Sequence, residues 1–197
     1  MLSSAIQGLG TGAALIVAIG AQNAFVLGQG LRRRSPWLVA AICSGCDVLL
    51  IALGGLGLGP LIAGQATLMQ LARWGGAAFL LWQAGHAWRR ALVPSALTAE
   101  ATPATRQRVV AATLAVTLLN PQVYLDTVVM LGAIGAVQAS PMGFYLGAMV
   151  ASLLWFFALV AAAGWLAPRL AHPAVWRVID GLIGTVLIVV AGHLLGG

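Results

Sequence analysis

Asp47, Arg73 and Asp126 interrupt long apolar stretches of this chain, and each brings chemistry that such surroundings make expensive. Where apolar sequence means bilayer, a charge near the midplane costs at least about 2.5 to 3.5 kcal/mol even on the gentler insertion scales. A carboxylate kept there at that cost can hold a proton or a cation, and can trade one for the other. Arg73 lowers the burial cost of both acids. Two carboxylates against one guanidinium still leave surplus negative charge, which a purely stabilising network does not need. Such a pocket suits a cationic solute.

The neighbourhood of Asp126 adds a second kind of chemistry. In Thr117-Leu118-Leu119-Asn120-Pro121-Gln122-Val123-Tyr124-Leu125-Asp126, Pro121 lacks a backbone donor and its ring crowds the preceding turn, so a helix must kink or break there and release a carbonyl near Thr117. Broken backbone is tolerated inside a membrane only where it lines a cavity or is buried in protein. Gly20-Ala21-Gln22-Asn23 is a parallel case, with a glycine and two adjacent amides inside apolar sequence. The candidate site therefore comprises Asp47, Asp126, Arg73, Asn120, Pro121, Gln22 and Asn23. Tyr124 lies two residues before Asp126, on roughly the far side of a helix, and is left out.

The elements that position these residues follow from composition. Of 197 residues, 61% are hydrophobic and 7% charged, far from the balance of a soluble domain. Mean hydropathy is +0.99. The reading is an all-α integral membrane protein forming a single transmembrane domain, 1–197. Apolar segments at about 5–28, 37–58, 67–88, 109–138, 142–167 and 175–195 predict six transmembrane helices. The fourth is too long for one straight span and is expected to be broken near Asn120. The first is read as a retained span, since no cleavage pattern accompanies it.

Charge sets the topology. The net charge of +6 comes from arginines, with no lysine, and these cluster after the first span (Arg32, Arg33, Arg34), the third (Arg89, Arg90, Arg106, Arg108) and the fifth (Arg169, Arg177). Basic connections stay in the cytoplasm, so both termini are expected outside, and the charge calls for no nucleic acid. Counted from the outer ends of their spans, Asp47 and Asp126 then lie at similar depth. Trp37, Trp74, Trp88, Trp165 and Trp176 fall near span ends, as interfacial indoles do. A polar linker at about 91–108 divides the chain into halves of about 1–90 and 109–197. The halves echo each other in Ala84-Gly85-His86 and Ala191-Gly192-His193, in Gly57/Pro60 and Gly164/Pro168, and in Asn23 and Asn120. Three helices per half make any such repeat an inverted one.

Leu119-Asn120-Pro121-Gln122-Val123-Tyr124-Leu125-Asp126-Thr127, with Gly20-Ala21-Gln22-Asn23-Ala24-Phe25-Val26, Cys46-Asp47, Arg73-Trp74-Gly75-Gly76 and Trp155-Phe156-Phe157, resembles the lysine and arginine exporters of bacterial inner membranes, the arginine branch most closely. The resemblance covers nearly the whole chain. It implies export of a basic amino acid (arginine, lysine or an analogue such as canavanine) driven by the proton motive force, with Asp47 and Asp126 as functional acids and Arg73 as their partner. Gln122 stands where histidine or asparagine is expected in relatives. The implied partners are the substrate, protons and the lipid bilayer, with a homo-oligomer left open and no cofactor.

Other readings carry less. Export of neutral amino acids of the threonine and homoserine type gives the acids less to do. A channel needs a continuous polar stripe, and only isolated polar points occur. Cys43-Ser44-Gly45-Cys46 has redox spacing, but a thiol conduit wants cysteines on separate spans, and no cluster of metal ligands accompanies the pair. Gly8-Leu9-Gly10-Thr11-Gly12 follows no strand and is read, with Gly55 to Gly59 and Gly143 to Gly147, as close helix packing. Asp180 is expected to pair with Arg177 one turn before it. His86, His172 and His193 are read as structural.

Overall fold

The computed structural model describes residues 1–17, 20–58, 66–92, 105–170 and 173–196, and among these every regular element is helical. In chain order they are α1 (Leu2–Ile16), α2 (Ala21–Leu31), α3 (Pro36–Gly55), α4 (Ala66–Leu92), α5 (Arg106–Leu118), α6 (Pro121–Ala136), α7 (Pro141–Leu166), a 3-10 turn at Ala167–Leu170, and α8 (Pro173–Gly196). Proline opens α3, α6 and α7, at the position where its missing N–H costs no hydrogen bond. Gly57, with φ of 83°, turns the chain after α3 in a conformation that suits glycine.

Two helices, α3 and α7, are each long and apolar enough to cross a membrane; α1 with α2, and α5 with α6, reach that standard as bent pairs. The bends are 81° and 63°. Chain order thus runs bent pair, long helix, long helix, and then the same again. Within α6 the segment Leu125–Met130 is π-helical, so Asp126 sits in a local widening of the helix.

Without water to drive apolar surfaces together, membrane helices associate through close packing of small residues. A Cβ added at Gly12 would lie 2.9 Å from Ala148 Cα, which shows how tightly α1 lies along α7. One added at Gly54 would lie 2.6 Å from the Val128 carbonyl oxygen, so α3 is pressed onto the π-helical turn. The glycine strings therefore pack helices as expected at Gly8, Gly12, Gly55, Gly143 and Gly147; Gly10 instead faces open space, Gly57 makes a turn, and Gly59 lies outside the described residues. Leu131, Phe144, Tyr145 and Ile51 fill the core at this end. A larger cluster around Phe25, Val26, Leu80, Val116 and Phe156 joins α2, α3, α4, α5 and α7.

One local expectation is corrected. Asp180 is wholly buried, and its carboxylate is ion-paired with Arg32 at the end of α2, not with Arg177, which is exposed. A buried carboxylate needs a cation brought to it by a neighbouring element, and α8 packs on α2. Trp37, Trp74, Trp88 and Trp165 are exposed, as interfacial indoles should be; Trp176, His172 and His193 lie outside the described residues or side chains, as does residues 93–104 of the linker.

Candidate functional site

Each bend leaves a carbonyl that a continuous helix would have satisfied, and each is met by a side chain from the helix that follows. Asn23 Nδ2 donates to the Ile16 carbonyl at 2.7 Å, and its Oδ1 accepts from Trp155 Nε1 at 3.0 Å. At the second bend, Tyr124 Oη donates to the Leu118 carbonyl at 2.9 Å. Asn120 Oδ1 accepts from the Gln122 N–H at 3.1 Å and so caps α6. Asn23 thus does the task of Tyr124 from inside α2, while the cap position that Asn120 holds before α6 is held before α2 by Gly20. Tyr124, excluded on helical geometry, holds the break together; its signal was a hydroxyl just beyond a proline, within reach of the carbonyls before it.

Beside the bends lies the acid cluster. Asp47, near the middle of α3, is 2% exposed, and its Oδ2 accepts from Ser152 Oγ of α7 at 2.8 Å. The Gln22 amide of α2 is within hydrogen-bonding reach of the same carboxylate. Gln22 Nε2 also donates to Thr117 Oγ1 of α5 at 3.3 Å, and Cys43 Sγ lies 3.8 Å from that hydroxyl. Residues of α2, α3, α5 and α7 therefore converge on one point between the two bends. Asp126 is half-buried on α6, where its Oδ1 accepts from Gln122 Nε2 at 2.8 Å. The two carboxylates are near enough for their charges to interact. Both are held by neutral donors: Ser152 and Gln22 for one, Gln122 for the other.

Asn120 and Pro121 at the break are both buried in protein, where the membrane tolerates irregular backbone. Arg73 belongs to α4, but its side chain lies outside the described residues. One turn further along, Gly76 presses against the Leu119 backbone carbonyl, so α4 is seated directly on the second bend. Ser152 is a member of the cluster that the residue pattern did not single out, and Thr117 and Cys43, read there for a released carbonyl and a redox spacing, join it through their side chains. Serine and threonine in helices commonly bond their own preceding turn, as Ser44 does to the Ala40 carbonyl and Thr127 to that of Val123, which hides the ones that do otherwise.

A cavity of about 290 Å³ opens at the end of the molecule that carries the basic connections. Gln29, Arg32, Arg34, Trp82, His86 and Arg108 contribute its polar and aromatic lining. Its walls run inward along α2 to Ala24, along α5 to Ala112 and along α8 to Leu187. Along their helices Ala24 is two residues from Gln22, and Ala112 is five from Thr117.

The LysE type translocator family matches residues 13–197. The chain is 44% identical over 198 residues to the arginine exporter protein ArgO of Enterobacter sp. (strain 638), covering 98% of this chain and 94% of that one. It is 44% identical over 192 residues to the protein of the same name from Serratia proteamaculans (strain 568), with 95% and 93% covered. The Salmonella typhi protein of that name is 42% identical over 198 residues, with 98% and 94% covered. No solved structure matches the chain.

Proposed function

Because the chain belongs to the LysE type translocator family, we propose that it exports basic amino acids across the bacterial inner membrane, arginine first with lysine and canavanine beside it, in exchange for protons. The observation that carries this reading is the pair Asp47 and Asp126, placed inside the bundle between two bent helices and held by neutral donors. The relatives' names supply the substrate.

In this reading the chain crosses the membrane six times, with α1–α2 and α5–α6 each forming one bent span. The repeated order of bent pair and two long helices supports two inverted halves, 1–90 and 109–197. The basic connections then face the cytoplasm and both termini lie outside. The cavity among Arg32, Arg34 and Arg108 faces the cytoplasm too, and is the way in.

The exchange follows from charge. Moving one net positive charge outward against an inside-negative potential costs about 2.3 kcal/mol per 100 mV, so export needs coupling. A carboxylate that holds either the substrate's cationic group or a proton provides it. Asp126 beside the break takes the guanidinium or ammonium group from inside and a proton from outside. Asp47 is the second acid, with Gln22 presenting an amide to it. Arg73, carried by α4 onto the break, is the counter-charge when the site is empty. Asn120, Pro121 and Asn23 hold the bends open. Neutral amino acids would leave both acids without a partner, and buried Cys43, packed beside Thr117, offers no thiol path.

The test is flux from vesicles loaded with labelled arginine under an imposed pH gradient. Asp47→Asn and Asp126→Asn should each abolish gradient-driven efflux while the protein remains folded. Unchanged efflux from both variants, or equal transport of threonine, would overturn the reading.

A further inference from the structure

We infer that the basic cavity is an entry subsite for the main-chain head group of the transported amino acid, with its carboxylate on the Arg108 guanidinium and its ammonium on the Gln29 amide oxygen. This deepens the export reading and rests on it.

The lining is unusual for the way into a site that takes cations. Among the described residues it contains three guanidiniums and no carboxylate. Arg32 is balanced by Asp180, and Arg108 brings a guanidinium of its own to the space. Arg108 stands in the first turn of α5, whose backbone N–H groups and dipole also favour an anion. A bare organic cation finds nothing to pair with on Arg108, whereas an amino acid can enter carboxylate foremost. Arginine at the mouth can grip that carboxylate through two parallel N–H donors, which fixes its orientation as well as its charge.

Gln29 supplies the complementary half. Its Oε1 is buried and has no hydrogen-bond partner, although Gln29 lines the cavity. A buried amide oxygen in that condition calls for a donor, and in an amino acid the ammonium group sits one carbon from the carboxylate. A phosphate or a simple carboxylic acid would satisfy Arg108 and leave Gln29 as it is, so the pair of groups selects a zwitterion.

The reach also fits. Ala112 lines the cavity and Thr117 belongs to the acid cluster; five residues of helix separate them, about 7.5 Å at 1.5 Å per residue. An extended arginine side chain spans a comparable distance. A head group held at the level of Ala112 therefore places the guanidinium near Gln22, Thr117 and Asp47. The basic mouth and the acidic cluster read the two ends of one molecule. The substrate's net charge is never presented to an arginine without its carboxylate in front.

The experiment uses inverted membrane vesicles, which present the cytoplasmic face to the medium. It measures uptake of labelled arginine and its inhibition by agmatine, which is arginine without the carboxylate. In the wild type, agmatine should inhibit at least about tenfold more weakly than unlabelled arginine. Arg108→Ala should raise the KM for arginine about tenfold with maximal rate within about twofold, and leave agmatine inhibition unchanged. Arg108→Lys should recover part of the loss, and Gln29→Leu should raise the arginine KM in the same sense. Parallel shifts for arginine and agmatine, or no shift, sink the subsite while the export reading stands. An Arg108 effect seen with reconstituted protein in phosphatidylglycerol but absent in pure phosphatidylcholine assigns the oxyanion to lipid phosphate and equally overturns the proposal. Absence of arginine uptake by the wild type defeats the export reading itself.

Discussion

Removing Arg32 should cost more stability than removing any exposed arginine of the chain. Asp180 is 0% exposed and Arg32 16% exposed at the side chain, and the pair joins residues 148 apart in sequence. Arg32→Ala leaves a carboxylate buried with its cation gone, a change that typically costs about 3 to 5 kcal/mol. Solvent reaches Arg32 enough to favour the lower part of that range. For a chain of this size, 1 kcal/mol moves the midpoint by about 2 to 4 °C, so about 3 kcal/mol predicts a fall on the order of 10 °C. Thermal unfolding in mild detergent, followed by tryptophan fluorescence, measures it, with exposed Arg177→Ala as the reference. Arg32→Ala combined with Asp180→Asn removes the buried charge and should regain at least half of the loss. If Arg32→Ala melts within 2 °C of Arg177→Ala, or if the double variant is no better than the single one, the claim that buried charge governs this contact is wrong.

Gly12→Ala brings a Cβ to 2.9 Å from Ala148 Cα and should destabilise by about 1 to 3 kcal/mol, whereas Gly10→Ala on the same helix meets open space and should gain a few tenths to about 1 kcal/mol; equal midpoints for the two would contradict the α1–α7 seam. Tyr124→Phe takes the donor from the Leu118 carbonyl and should cost about 1 to 3 kcal/mol, with faster amide hydrogen exchange at the ends of α5 and α6 but not along α7; uniform exchange would mean that the hydroxyl does not hold the break.

Much of this arrangement is legible in the sequence because the bilayer leaves few options. Pro121 after Asn120 gives the second bend, and the glycine and amides at 20 to 23 give the first, since only irregular backbone explains so many polar groups together. The π-helical turn around Asp126 is not legible. Leu125 to Met130 hold no glycine or proline to mark it, and the turn lies where the backbone of Gly54 on α3 lets Val128 approach. Ser152 was missed for a similar reason, because its partner Asp47 is 105 residues away while serine usually has a carbonyl close at hand. The pairing of Asp180 failed in the same direction. The local arginine at 177 was visible in sequence, and the distant one at 32 is the one that tertiary packing delivers.

Polar residues at the two bends divide into those that the fold consumes and those that it leaves in reserve. The carbonyls of Ile16 and Leu118 are already met, by Asn23 and Tyr124, so the breaks do not exist to offer these oxygens to a ligand. Their effect is geometric. Ending α1 and α5 at mid-course lets α2 and α6 leave in new directions, which carries Gln22 to Asp47 and sets Asp126 on a widened turn opposite α3. A straight pair of spans would keep each polar side chain on its own helix face, where a carboxylate has to find an arginine or be lost to lipid. Bending instead lets two carboxylates on different helices share a polar interior with neutral donors, Ser152 for Asp47 and Gln122 for Asp126.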